Sequence, residues 1–90
     1  MAVVIARPIK ITPPAPGAVF TDKIRVIAVR WVGTSGNGDK VEIQDPSGKT
    51  LWAYTSDGVN KTFESRLERW WDNGFNVVTL DSGTLYVDYA

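Results

Sequence analysis

Short apolar runs, cut by turn chemistry at intervals of roughly 8–12 positions, extend through this chain, and such spacing favours strands over helices. The pattern is clearest at the end. Phe75-Asn76-Val77-Val78-Thr79-Leu80 and Thr84-Leu85-Tyr86-Val87-Asp88-Tyr89 flank Asp81-Ser82-Gly83, which reads as two strands joined by a tight glycine turn. The sequence stops within that last β run. Its open edge is therefore expected to pair with another part of the fold or with another molecule.

Upstream, Ile24-Arg25-Val26-Ile27-Ala28-Val29-Arg30-Trp31-Val32 is the strongest strand. Apolar residues occupy both parities in its middle, which predicts burial on both faces or a bulge near Ile27. The glycines of Gly33-Thr34-Ser35-Gly36-Asn37-Gly38-Asp39 end it in a loop. Lys40-Val41-Glu42-Ile43-Gln44 and Lys49-Thr50-Leu51-Trp52-Ala53-Tyr54-Thr55 form a hairpin about Asp45-Pro46-Ser47-Gly48, with Trp52 and Tyr54 on one face. Both faces of that second arm carry apolar bulk, so one is free to meet a partner. The segment from Lys61 to Trp71 fits two periods. Phe63, Leu67, Trp70 and Trp71 fall on one helical face behind a Ser65-Arg66-Leu67-Glu68 capping box, yet Phe63, Leu67 and Trp71 also share a strand face. The Asp72-Asn73-Gly74 turn that follows favours the strand reading, and a short helical turn stays open.

Near the start, Val3-Val4-Ile5 and Ile9-Lys10-Ile11-Thr12 look extended, and Pro8 and Pro13-Pro14-Ala15-Pro16-Gly17 interrupt them. Residues 1–18 are thus expected to be an N-terminal arm or edge strand with a Pro-rich linker, and residues 19–90 the β-sandwich domain. The fold class is all-β: a small antiparallel β-sandwich or partly open barrel of about seven short strands with an extended, proline-containing N-terminal arm. The first apolar run has no basic residue before it and is too short for a signal or a membrane span.

Chemistry is scarce. With no histidine and no cysteine among the 90 residues, Ser-His and Cys-His catalysis, disulfides and the usual zinc, copper and haem ligands are absent. Glu64 and Glu68 could pair as acid and base, but two glutamates four apart on an Arg-interleaved segment read better as a solvated face. Asp39 beside Gly36-Asn37-Gly38, and Asp57-Gly58-Val59-Asn60, offer oxygen ligands for calcium, but neither has an acidic ladder and plain loops are favoured. No enzyme activity and no cofactor are expected. The net charge is zero but unevenly spread: Arg7, Lys10, Lys23, Arg25 and Arg30 stand against Asp22 alone in residues 1–30, and nine carboxylates against five cations follow. That polarity allows one copy's front to meet another's back, and offers no surplus of clustered cations for nucleic acid.

A core this small favours self-association or docking as a supplement. The candidate interface comprises Pro13, Pro14 and Pro16 in the arm, Trp52 and Tyr54 on the hairpin, and Trp70 and Trp71. The last two are consecutive on a strand, so one of them must face outward. The same aromatics could also form a sugar-stacking platform.

The strand ending Arg30-Trp31-Val32-Gly33, the turn Asp45-Pro46-Ser47-Gly48-Lys49, the run Trp70-Trp71-Asp72-Asn73-Gly74-Phe75 and the run Leu80-Asp81-Ser82-Gly83-Thr84-Leu85-Tyr86-Val87 together resemble small all-β accessory virion proteins of tailed bacteriophages, the class that decorates or cements capsids. The resemblance covers about residues 20–89. It implies a structural protein of the virion, homo-oligomeric with a trimer as one option, resting on a major capsid or tail protein with an extended terminus reaching onto neighbouring subunits; on charge and hydropathy no nucleic-acid or membrane partner is expected. The alternative is a carbohydrate- or host-surface-binding module on a phage fibre or secreted enzyme.

Overall fold

The computed structural model describes all 90 residues. Nine strands and no helix make up the chain: β1 (Ala2–Val4), β2 (Ile9–Thr12), β3 (Gly17–Phe20), β4 (Ile24–Val32), β5 (Lys40–Gln44), β6 (Thr50–Thr55), β7 (Thr62–Trp71), β8 (Phe75–Leu80) and β9 (Thr84–Tyr89). They form two antiparallel sheets, ordered β1-β2-β9-β4-β7 and β3-β8-β5-β6, here sheets A and B. The protein is an all-β sandwich, with its core between the two layers.

The inward residues explain the layering. Ile9, Ile11, Ile24, Val26, Val29, Trp31, Leu85 and Val87 come from sheet A, and Val41, Ile43, Trp52, Phe75, Val77 and Leu80 from sheet B, all buried in one cluster. The mixed parity of β4 resolves as a bulge at Ile27. Its inward set changes from Val29 and Trp31 to Ile24 and Val26, and the register against both β7 and β9 shifts between Val26 and Ala28. One extra residue moves the apolar set to the other parity, so a strand that looked two-faced keeps one face in the core. Opposite it, β7 accommodates the mismatch with Glu68 at a φ of 49°, in the left-handed region that non-glycine residues rarely adopt.

Three sequence expectations are corrected. First, Asp72-Asn73-Gly74 and Asp81-Ser82-Gly83 are not hairpin turns. β7 pairs with β4, β8 with β3 and β5, and β9 lies between β2 and β4, so both turns cross from one sheet to the other. Each joins two strands with one apolar face, and these faces meet across the core rather than lying side by side: Trp71 and Phe75, flanking the first corner, are both buried and contact edge to face at 5.1 Å. Because β9 is flanked on both sides, the last β run finds its partners within the fold.

Second, the strand count is nine rather than about seven, since Gly17–Phe20 forms β3 against β8. Third, of the two readings of residues 1–18, arm or edge strand, the extended arm does not hold and the edge strand does. β1 is the edge of sheet A, while β2 pairs with β9 and buries Ile9 and Ile11 completely. The alternation Ile9-Lys10-Ile11 supplies the inward face that an arm would lack. Pro13, Pro14 and Pro16 occupy the crossing from sheet A to sheet B, and Pro8 the β1–β2 connection, where no ladder donor is needed. Lys61–Trp71 contains a strand, β7, and no helical turn.

Candidate functional site

Four edges are open: β1 and β7 of sheet A, and β3 and β6 of sheet B. The two longest, β6 and β7, run along the same side of the sandwich, where an aromatic row closes the seam. Trp31 stacks on Phe63 at 5.5 Å, Phe63 on Tyr54 at 5.3 Å, and Tyr54 leans on Trp52 at 5.1 Å. The β7 edge is guarded by Glu64, Arg66, Glu68 and Arg69 and by the left-handed Glu68, devices that discourage strand addition. Glu64 and Glu68 do not converge on a pocket: Glu64 lies opposite Arg30, and Glu68 accepts from Arg66 at 3.3 Å. The β6 edge, Thr50-Leu51-Trp52-Ala53-Tyr54-Thr55, carries no charge.

The two outer faces of the sandwich differ in the same sense. On sheet A, Lys10, Tyr86, Arg30 and Glu64 form one cross-strand row, and Asp88, Ala28 and Arg66 form another. Three of the five cations of the first third rest on aromatic rings, Arg30 over Tyr86 at 4.9 Å, Arg7 over Tyr89 at 5.0 Å and Lys23 over Trp70 at 4.8 Å. On sheet B the corresponding rows are Ala18, Asn76, Gln44 and Thr50, then Thr79, Glu42 and Ala53, and the exposed pair Lys40 and Thr55 ends the face. Apart from Glu42 and Lys40 these side chains are uncharged.

Shallow depressions adjoin this face. One of about 420 Å³ is lined by Pro13, Pro14, Ala15 and the Val78–Asp81 stretch, one of about 270 Å³ by Pro16, Ala18, Asn76 and Val78, and one of about 390 Å³ by Lys40, Glu42, Ala53, Tyr54, Thr55 and Thr79. Of the residues singled out from the sequence, Pro13, Pro14, Pro16 and Tyr54 therefore border a single surface. Trp52 and Trp71 do not: at 6% and 4% exposure they pack the core, because each sits at an inward position of its strand. Trp70, 56% exposed, is the tryptophan that faces outward. The small residues Ala18, Asn76, Val78, Thr79 and Ala53 were not singled out. Their signal was the lack of charge at alternate positions of three strands, visible only once those strands are placed side by side.

Glu42 is the face's one carboxylate, and it is tied down. Its Oε2 accepts from Gln44 Nε2 at 2.9 Å and Thr50 Oγ1 at 2.7 Å, and these bonds, Gln44 first, lower its pKa below the ordinary value. In the adjoining turn Asp45 Oδ1 accepts from Ser47 Oγ, Ser47 N and Lys49 N, at 2.6, 2.9 and 3.0 Å. The Ser47 hydroxyl is the main cause of its lowered pKa. A carboxylate whose pKa is lower in the folded state stabilises that state above its unfolded pKa, and the contribution is lost as pH falls through the folded value. Acidification through and below the ordinary carboxylate range should therefore loosen the β5–β6 hairpin first. Amide exchange followed by NMR checks this: Ser47, Lys49 and Thr50 should lose protection before the centre of β4.

The loops around Asp39 and Asp57 lie together at the end of the sandwich where β4 meets β5, and hydroxyl groups occupy them. Asp39 Oδ2 accepts from Ser82 Oγ at 2.6 Å and Ser35 Oγ at 3.1 Å. The carbonyl of Gly58 accepts from Thr34 Oγ1 at 2.9 Å and Ser56 Oγ at 2.7 Å. Thr34, Ser56 and Ser82 are buried, so this network fastens three loops over the core end. Asp39 is an acceptor for protein hydroxyls in that arrangement.

Comparison with protein-family models, with curated proteins and with solved structures finds no match to this chain.

Proposed function

We propose that the protein is a non-enzymatic structural component of a virion, associating with copies of itself and with a capsid or tail surface through the outer face of sheet B. One observation carries the reading: charge is dense on the outer face of sheet A, whereas that of sheet B holds only Glu42 and, at its end, Lys40, and the adjoining β6 edge holds none. Depletion of charge marks the centre of protein interfaces more reliably than general hydrophobicity does. The accessory phage proteins that the sequence resembles supply the setting.

The size of the face sets how it would work. Four strands spaced ~4.8 Å apart and ~17 Å long span only a few hundred Å², short of the ~800 Å² per partner of a standard interface. A single contact of this kind is weak. Its strength would come from repetition, many copies on a regular shell each adding a small resistance to expansion.

The test is mass against concentration, measured by light scattering, for the protein and for Thr79→Arg. Thr79 stands in the middle of the face, and an arginine there would be desolvated without a partner in any face-to-face contact. The native protein should grow heavier as concentration rises to about 1 mM, the weak-contact regime, and the variant should not. A native protein that stays monomeric throughout overturns the self-association reading. So does a Thr79→Arg variant that is folded and associates as the native chain does.

A further inference from the structure

Trp70 is an uncommon element on a small domain: a tryptophan more than half exposed and held in place from one side. The Lys23 ammonium lies 4.8 Å from its ring centroid and 3.8 Å from the Asp72 carboxylate, so cation, ring and acid fix one another. Beside the ring runs a groove of about 140 Å³ where the β5–β6 hairpin meets the β7–β8 corner, lined by Asp45, Lys49, Leu51, Trp70, Asp72 and Asn73 among others. It shares none of the residues assigned above to the sheet B face.

The groove's chemistry is two-sided. Trp70 and Leu51 give it an apolar wall, and the remaining four side chains give it donors and acceptors. Asp45 is set in advance, since its Oδ1 takes three bonds from its own turn while no hydrogen bond engages Oδ2. The Asn73 amide and the Lys49 ammonium have no hydrogen-bond or ion-pair partner in the protein. An indole face next to directed carboxylate, amide and ammonium groups matches a pyranose, which has a C–H face that stacks on aromatic rings and a rim of hydroxyls that both donate and accept. The volume falls below the ~300–1,000 Å³ of ordinary ligand sites, so one ring enters rather than a chain of rings. Lys23 and Lys49 balance Asp45 and Asp72, which selects an uncharged sugar.

We infer that the groove beside Trp70 is a binding site for one terminal, neutral pyranose unit of a glycan, stacked on the indole and hydrogen-bonded by Asp72, Asn73, Asp45 and Lys49.

Saturation-transfer NMR with methyl glycosides and trisaccharides of glucose, galactose, mannose and N-acetylglucosamine, alongside sialic acid as an anionic comparison, tests it. At least one neutral sugar should bind with Kd on the order of 1 mM, receiving transfer mainly at the protons of one ring face. Trp70→Ala should abolish the transfer and Trp70→Phe retain part of it. Asn73→Ala should weaken binding by about tenfold, with the fold unchanged by circular dichroism. Transfer to no neutral sugar overturns the inference. Transfer that survives Trp70→Ala, or that favours sialic acid, overturns it as well.

Discussion

Replacing Gly74 by alanine is expected to lower the unfolding free energy by about 3–5 kcal/mol, which for a 90-residue domain removes much of the total. Gly74 sits buried in the corner between β7 and β8 with φ at 76°, a conformation that disfavours any Cβ by about 1–2 kcal/mol. The methyl would also land on the main-chain carbonyl of Phe20, and it would lie 3.0 Å from the carbonyl oxygen of Asp22. Neither is the end of a flexible side chain. To make room, the β3–β4 connection has to move, and with it the corner that turns Trp71 and Phe75 toward each other. Gly48 provides the control: its φ is 94°, yet a Cβ there meets no atom within 4 Å. Gly48→Ala should cost only the conformational part, about 1–2 kcal/mol. Denaturant midpoints of the two variants separate the terms. Equal losses would show that the Phe20 carbonyl moves aside easily and that the corner is not a fixed point of the fold.

That corner also shows what the sequence could and could not convey. Asp72-Asn73-Gly74 announces a reversal, and the reversal is there. Whether the strands on either side then pair or face each other depends on what lies across the core, and a turn of three residues does not hold that information. The same ambiguity governed Asp81-Ser82-Gly83. By contrast, the bulge at Ile27 was legible because it leaves a local mark, apolar residues on both parities of one strand. The extended-arm reading of the first 18 residues misled for another reason. Proline reads strongly as an interruption, and its weight outran that of the two isoleucines of β2, which are fully buried. Among the aromatics, the sequence required one of Trp70 and Trp71 to face out but could not say which. The phase was set by Ile24 and Trp71 pairing across β4 and β7. The charge-poor face of sheet B was beyond reach, since it is assembled from β3, β8, β5 and β6, strands far apart in the chain.

Trp31 and Trp52 are both core tryptophans, and phenylalanine should be tolerated at one and not at the other. Trp31 is fully buried, stacked on Phe63, and its indole N–H donates to the carbonyl of Ser82 at 2.8 Å. That bond ties the end of β4 to the β8–β9 corner, whose Ser82 hydroxyl in turn holds Asp39 and accepts from the amide of Ser35. Phenylalanine at position 31 would leave the Ser82 carbonyl without its donor in a dry site and open a void beside Phe63, a loss of at least ~2 kcal/mol. Trp31→Ala should reach about 3–5 kcal/mol, approaching the whole stability of a domain this size. Trp52 is buried to nearly the same degree, but its N–H has no partner in the protein, so the native residue already carries the penalty of an unpaired donor, about 1–3 kcal/mol. Phenylalanine there removes that donor while losing some packing, and the two changes offset to within about 1 kcal/mol. Thermal melting of the two phenylalanine variants, with amide exchange at Ser35 and Lys40 as a local readout, distinguishes the cases. Trp31→Phe should melt much lower and expose both amides, whereas Trp52→Phe should leave them protected. If the two variants lose stability equally, then the packing of the rings decides the matter, and the bond from Trp31 to Ser82 does not hold the loop end to the core.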